Sequence, residues 1–202
     1  PPATRMSKAR CISPDEMRAA LHATLRALGA KKKVLLVPPD ITRAHSQAGP
    51  LTRMAVEHYG AAVGGILPAI GTHDAMPEHE IEAMFGDLPR SLFRTHDFRT
   101  GVATLGEVPA EFVRTVSGGA VEYPVPIQVA QLMNEGGFDL ILSLGQVVPH
   151  EVIGMANYNK NIFIGTGGDK GINESHYLTA LYGMERIMGR CDTPLRRILN
   201  EA

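Results

Sequence analysis

The sequence predicts an α/β domain with a mostly parallel sheet. Three observations predict it: segments of helical period alternate with short apolar runs, two of those runs are nearly continuous in apolar residues, and each run ends in a polar loop bearing proline or glycine. The continuous runs are Val34-Leu35-Leu36-Val37 and Phe138-Asp139-Leu140-Ile141-Leu142-Ser143-Leu144. A strand apolar on both sides must be covered on both sides, so helices are expected on both faces of the sheet, in a Rossmann-like arrangement. With 202 residues and 44% hydrophobic content, the chain reads as one domain over 1–202 with one sizeable core.

The elements follow in order. Ser13-Pro14-Asp15-Glu16 has the Ser-x-x-Glu form of a capping box with proline at the first helical position, and Met17, Leu21, Leu25 and Leu28 continue at helical spacing. A helix is expected from Pro14 to Leu28, stopped by Gly29. The strand Val34 to Val37 ends at Pro38-Pro39. A helix across Pro50 to Tyr59, a strand across Gly65 to Ile70, a loop from Gly71 to Met76, and a helix opened by Pro77 repeat the same grammar. From Phe93 to Glu122 the pattern weakens into short β-favouring pieces around Gly118-Gly119, read as a hairpin. Val125 to Met133 fits strand or helix. Phe138 to Leu144 is a second buried strand ending at Gly145, and Asn173 to Met188 is an amphipathic helix.

Composition excludes several classes of partner. Twenty basic residues against twenty-one acidic ones give a formal net charge of -1, which leaves no electrostatic case for general nucleic-acid or anionic-membrane binding. The expected partner is a small molecule. No apolar run approaches the roughly 20 residues of a membrane span, and no secretory signal opens the chain. Two cysteines, Cys11 and Cys191, without Cys-x-x-Cys spacing, argue against a disulfide scaffold or zinc knuckle and fit a reducing cytoplasm. Pro1-Pro2-Ala3 at the start and Arg196-Arg197-Ile198-Leu199 near the end read as the edges of a segment, so further chain is expected after Ala202.

The candidate chemistry lies in the loops. Three strands run into Pro39-Asp40-Ile41-Thr42-Arg43, Gly71-Thr72-His73-Asp74 and Gly145-Gln146-Val147-Val148-Pro149-His150. Ligands of open α/β sheets sit beyond the carboxyl ends of the strands, so Asp40, Arg43, His73 and His150 are expected to gather. Two imidazoles at such positions suit proton removal on one side of a substrate and donation on the other; the bland alternative is that each caps its strand. Arg43 offers a planar fork for a carboxylate, with Asp40 able to orient a histidine, unless the two simply satisfy each other in a turn. His22, His45, His58, His79 and His96 are assigned to solvated faces or local capping. Gly165-Thr166-Gly167-Gly168-Asp169-Lys170-Gly171 has the composition of a phosphate cradle, but lacks the Walker order and reads better as a tight turn before a helix. His176, expected in the first turn of the helix near Asn173, suits a cap as well as a metal.

Taken together, Pro39-Asp40-Ile41-Thr42-Arg43, Gly71-Thr72-His73, Val148-Pro149-His150, Lys160 and His176 resemble the N-terminal domain of the lactate racemase family, the nickel-pincer nucleotide enzymes. Order and spacing agree: Asp to Arg by three, His to Lys by ten, Lys to His by sixteen. The resemblance covers nearly the whole chain and about half of a family member, so it implies a C-terminal α/β domain beyond Ala202. It implies a nickel-pincer nucleotide, a pyridinium mononucleotide whose two sulfur-bearing arms grip nickel. Lys160 matches the lysine that binds it covalently, His176 the nickel-ligating histidine, with Thr42 and Gly165 as further cofactor contacts. His73 and His150 match the acid/base pair, and Arg43 and Asp40 the substrate-binding residues. The implied activity is racemisation or epimerisation of a 2-hydroxy acid, either lactate or a sugar acid such as an aldonate, by hydride transfer to the cofactor.

Asn157-Tyr158-Asn159-Lys160 departs from the family, whose members often carry Gly-Gly shortly before that lysine. This puts bulk where a cofactor would approach the backbone. Two other readings of the residues stand beside the enzyme: a non-catalytic nucleotide- or anion-binding module using the Gly165 to Gly171 loop, and a metal-dependent hydrolase with His73, His150 and His176 as ligands. A 202-residue piece lacking the second wall of the site is expected to be inactive alone, and its uncovered apolar surface to favour self-association into a homo-oligomer.

Overall fold

The structure, a computed structural model, describes residues 11–202; Pro1-Pro2-Ala3 lie outside the described residues. Helix α1, Pro14–Leu28, starts as the sequence predicts: the Ser13 side chain accepts from the Glu16 amide while Glu16 reaches back to the Ser13 amide, and Gly29 ends the helix at φ 74°. Strand β1, Val34–Val37, is wholly buried. Helix α2, Ala48–Tyr59, leads to β2, Val63–Ile66, which is two residues earlier than the expected start. The chain beyond Ile66 still tracks β1, with Leu67 N donating to Leu36 O at 2.8 Å and Ala69 N to Pro38 O at 2.7 Å, but Pro68 lacks an amide to extend a regular ladder.

Helix α3, Glu78–Phe85, follows with Pro77 as its cap residue. Strand β3, Val102–Val108, then leads into α4, Ala110–Ser117, and β4, Val125–Ala130, pairs with β3 antiparallel. The hairpin expected at Gly118-Gly119 is therefore absent. Gly118 instead ends α4 in the left-handed region (φ 65°, ψ 30°), where its amide meets the Thr115 carbonyl; glycine serves a helix end and a tight turn for the same conformational reason. The ambiguous segment from Val125 resolves into β4 followed by a short helix α5, Gln131–Glu135. Next come β5, Leu140–Ser143, the two-residue strands β6, Pro149–His150, and β7, Gly154–Met155, and helix α6, Asn159–Phe163. Helix α7 runs Asp169–Tyr182, four residues earlier at its start and six at its end than the pattern indicated, because Gly183 (φ 98°) breaks it. Helix α8, Pro194–Glu201, closes the described chain.

The main sheet is parallel, in the order β2-β1-β5. Alternation along β1 explains the two-sided cover. Val34 and Leu36 pack with Leu25 of α1 and Ala55 of α2, whereas Leu35 and Val37 pack with Leu67, Ala130 and, from α6, Ile162. Each fully buried aliphatic side chain of this kind contributes roughly 1.5–3 kcal/mol of transfer free energy. A third cluster is separate from the sheet and holds Val108, Val113, Ile153, Ile172, Leu178, Leu195 and Ile198. Phe163 and Ile164 pack against this third cluster, so the α6 segment touches both sides. No helix among the described residues is long and apolar enough to cross a membrane. Cys11 and Cys191 are free and exposed.

Candidate active site

An open cleft of about 270 Å³ lies at the carboxyl ends of β1 and β2, between the sheet and the third apolar cluster. It is lined by Thr42, Arg43, His73, His150, Lys160 and His176, together with Glu151 and the apolar side chains Ile70, Val152, Ile164 and Ile172. The sequence-predicted residues Thr42 and Arg43, His73, His150, Lys160 and His176 thus converge from five separate segments. Asp40 lies beneath His73, and Gly165 is buried outside the lining, bonded to Gly71.

The loop after β1 is built by Asp40. It caps the 3-10 turn Ile41–Ser46, accepting from the Thr42 amide at 3.2 Å and from the Thr42 hydroxyl. Its other oxygen lies 2.6 Å from His73 Nδ1. A carboxylate only accepts, so Nδ1 carries the proton and, in the neutral ring, Nε2 keeps its lone pair. The side chain of Asp40 is 8% exposed against 59% for His73, a buried anchor under an open ring. The Arg43 amide does donate to the Asp40 carbonyl at 3.1 Å, but the two side chains do not satisfy each other. Arg43 NH2 instead donates to both oxygens of Glu151, at 3.2 and 3.1 Å, while its Nε is buried with no partner.

His150 rests in the other tautomer. It ends β6, and the turn back to β7 directs the amides of Val152 and Ile153 at its Nδ1, both at 3.1 Å. With Nδ1 accepting, the proton of the neutral ring is on Nε2. Burial, followed by the charge of Lys160, pushes the imidazole well below its ordinary value, Arg43 and His176 adding to this and Glu151 opposing it. It is therefore uncharged at neutral pH. Lys160, in the first turn of α6, is pushed down to about 8, chiefly by burial, with Asp40 and Glu151 opposing.

His176 lies in the second turn of α7 rather than its first, because the helix begins at Asp169, so it is no cap. Its Nδ1 is 2.6 Å from the Ile172 carbonyl; the carbonyl only accepts, which leaves Nε2 unprotonated in the neutral ring. Among the described residues no three His, Cys, Asp or Glu side chains come close enough to hold a metal by themselves. The three-histidine hydrolase site accordingly has no ligand set.

The glycine-rich segment is accounted for by packing. A Cβ on Gly165 would lie 2.5 Å from Ala69 Cβ, one on Gly167 2.2 Å from the Phe163 carbonyl, and one on Gly168 2.3 Å from the Gln128 side chain. Gly165 O also accepts from Gly71 N at 2.8 Å, tying down the loop that carries His73. His96, expected on a solvated face or in local capping, is buried and its Nε2 lies 2.8 Å from the carbonyl of Gly167, 71 residues away; burial lowers its pKa. His22 and His58 face each other across α1 and α2 with Nδ1 atoms 3.4 Å apart, another arrangement the sequence does not announce. His45 and His79 are exposed, as expected.

Asn157 and Tyr158 both have positive φ, 60° and 53°. These are backbone conformations at which glycine would be unstrained. The bulk, however, is directed away: Asn157 is buried with its amide on the Gln146 carbonyl, and the Tyr158 ring is 61% exposed, beside the Arg196 guanidinium. Glu151 is the site residue that sequence reasoning missed. Its only signal is its place next to His150, which acquires meaning once the β6–β7 turn is known.

The fold and the family of this chain have counterparts among known proteins. A family model described as the lactate racemase N-terminal domain matches residues 16–187. A solved Thermotoga maritima protein superposes with a TM-score of 0.75 at 29% identity, over 94% of this chain and 46% of its own. The lactate racemase apoprotein from Thermoanaerobacterium thermosaccharolyticum superposes with a TM-score of 0.72 at 20% identity, with the same coverages of 94% and 46%, a likeness of fold. The chain thus spans about half the length of either structure. No curated protein matches it.

Proposed function

The chain belongs to the lactate racemase N-terminal domain family, and from that premise we propose that it is the catalytic N-terminal half of a racemase or epimerase of 2-hydroxy acids. The observation that carries the reading is the pair of opposite tautomers on one cleft. His73 presents a free Nε2 lone pair, and His150 presents an Nε2–H.

In this mechanism Arg43 holds the substrate carboxylate. His73 Nε2 takes the proton of the 2-hydroxyl, and the imidazolium so formed is stabilised by Asp40 at Nδ1. His150 Nε2–H donates to the same substrate oxygen, steadying it as it becomes a carbonyl, and its neutral ring adds no positive charge to the cleft. Ile70, Val152, Ile164 and Ile172 line the cleft with apolar surface that limits water around the reacting carbon. Return of the proton from His73 restores the hydroxyl. The substrate is lactate or a sugar acid such as an aldonate.

The residues present fit a nickel-pincer nucleotide. His176 offers an unprotonated Nε2 to a metal whose other ligands come from a non-protein group, and the Lys160 amine, eased toward its neutral form by burial, suits covalent attachment. When bound, that group supplies the reversible hydride acceptor the reaction needs. A second domain, absent from this chain, would close the open side of the cleft.

The test uses the complete enzyme, this chain together with its second half, loaded with cofactor. Loss of optical purity of a 2-hydroxy acid is followed with time, alongside nickel content and the mass of Lys160 peptides. His73→Ala is expected to lower turnover at least about 10²-fold. Near-normal turnover would reject the assignment.

A further inference from the structure

Among the described residues Glu151 is the one carboxylate that lines the cleft directly, since Asp40 lies below His73. It spends both oxygens on a single nitrogen of Arg43. The guanidinium is otherwise poorly used. NH1 reaches the Thr42 carbonyl only at a long 3.4 Å, and Nε is buried without a partner. A buried donor left unpaired is a cost that the fold carries unless a ligand relieves it. The natural relief is a carboxylate lying across the Nε and NH2 edge, the bidentate geometry that arginine favours. Glu151 already occupies NH2, so such a ligand must displace it.

The exposures make displacement feasible. The Arg43 side chain is 18% exposed and fixed at the cleft wall, whereas that of Glu151 is 51% exposed and returns readily to water. We propose that Glu151 is a resident counter-anion: it neutralises Arg43 in the empty cleft, is displaced by an incoming monocarboxylate, and disfavours ligands bearing a second carboxylate. The selectivity follows from like-charge repulsion, because the displaced side chain remains tethered next to His150 at the cleft mouth. A hydroxyl-bearing tail meets an acceptor there, but a second carboxylate meets an anion. The role of Arg43 in this inference rests on the proposed function; the displacement itself requires no turnover.

The experiment is a calorimetric titration of this chain with lactate and with malonate, comparing wild type, Glu151→Gln, Glu151→Ala and Arg43→Met, each checked for fold by circular dichroism. Both Glu151 variants are expected to bind lactate about fivefold more tightly than wild type and to gain more for malonate. Arg43→Met is expected to bind neither. Affinities unchanged from wild type, equal gains for the two acids, or no binding of either acid by the Glu151 variants would overturn the inference. Tighter binding by these variants, with a complete enzyme that racemises nothing, would retain the counter-anion and reject the activity proposed above.

Discussion

Asp40 and His73 come from the loops after two neighbouring strands and meet at 2.6 Å, the carboxylate buried and the imidazole open to the cleft. The pairing fixes which nitrogen of His73 is free. Changing the carboxylate to an amide preserves shape but permits the other tautomer, with the amide donating to Nδ1 and the proton moved to Nε2.

Asp40→Asn is accordingly expected to lower turnover of the complete enzyme by about 10³- to 10⁴-fold with little change in KM, by analogy with a triad aspartate. Steady-state kinetics with either enantiomer measures it. A loss smaller than tenfold would mean that His73 does not need this anchor.

Lys160 sets a pH dependence of stability. Its ordinary value of 10.5 is pushed down to about 8 in the folded protein, so between these two values the unfolded chain binds more protons than the folded one. Stability therefore rises with pH across that window, and at pH 7 the folded state bears the whole penalty. Lys160→Met should stabilise the chain at pH 7 by roughly 1–3 kcal/mol, with the advantage shrinking as pH approaches 10.5. Urea unfolding at pH 7 and pH 10 decides this; equal gains at both would refute it.

Tyr158 holds φ 53° and ψ −139° immediately before α6, a conformation costly for any residue with a Cβ. Tyr158→Gly should relieve about 1 kcal/mol or more of strain, less the weak exposed contact with Arg196. A thermal midpoint higher by about 2–4 °C is the expected result. A lower midpoint would show that the ring contact outweighs the strain.

The buried strands were readable because burial on two faces leaves its mark in the sequence itself: Val34 to Val37 has no polar position to suggest another structure. The loops holding Asp40, His73 and His150 followed from where those strands end. Gly118-Gly119 suggests a hairpin because a left-handed helix end and a hairpin turn ask for the same residue, and only the amphipathic spacing of Phe112, Val113 and Val116 distinguishes them. The start of α7 was hidden by Gly171, a poor helix former kept where a side chain would press on the Pro126 carbonyl at 3.3 Å. Neither the burial of His96 nor the hold of Glu151 on Arg43 has a local signature. Both are contacts between segments 71 and 108 residues apart.

Arg43 and His73 follow strands anchored in the sheet's own cores, while Ile153 near His150, and Ile172 and Leu178 flanking His176, belong to the third cluster. The five-residue α6 segment is stitched to both, Ile162 on one side and Phe163 on the other. The cleft thus has two walls with separate footings: the His73 imidazole stands on one, those of His150 and His176 on the other, and the Lys160 amine rises from the segment pinned between them. A packing defect in either cluster would therefore reach the Lys160 amine through its own short helix.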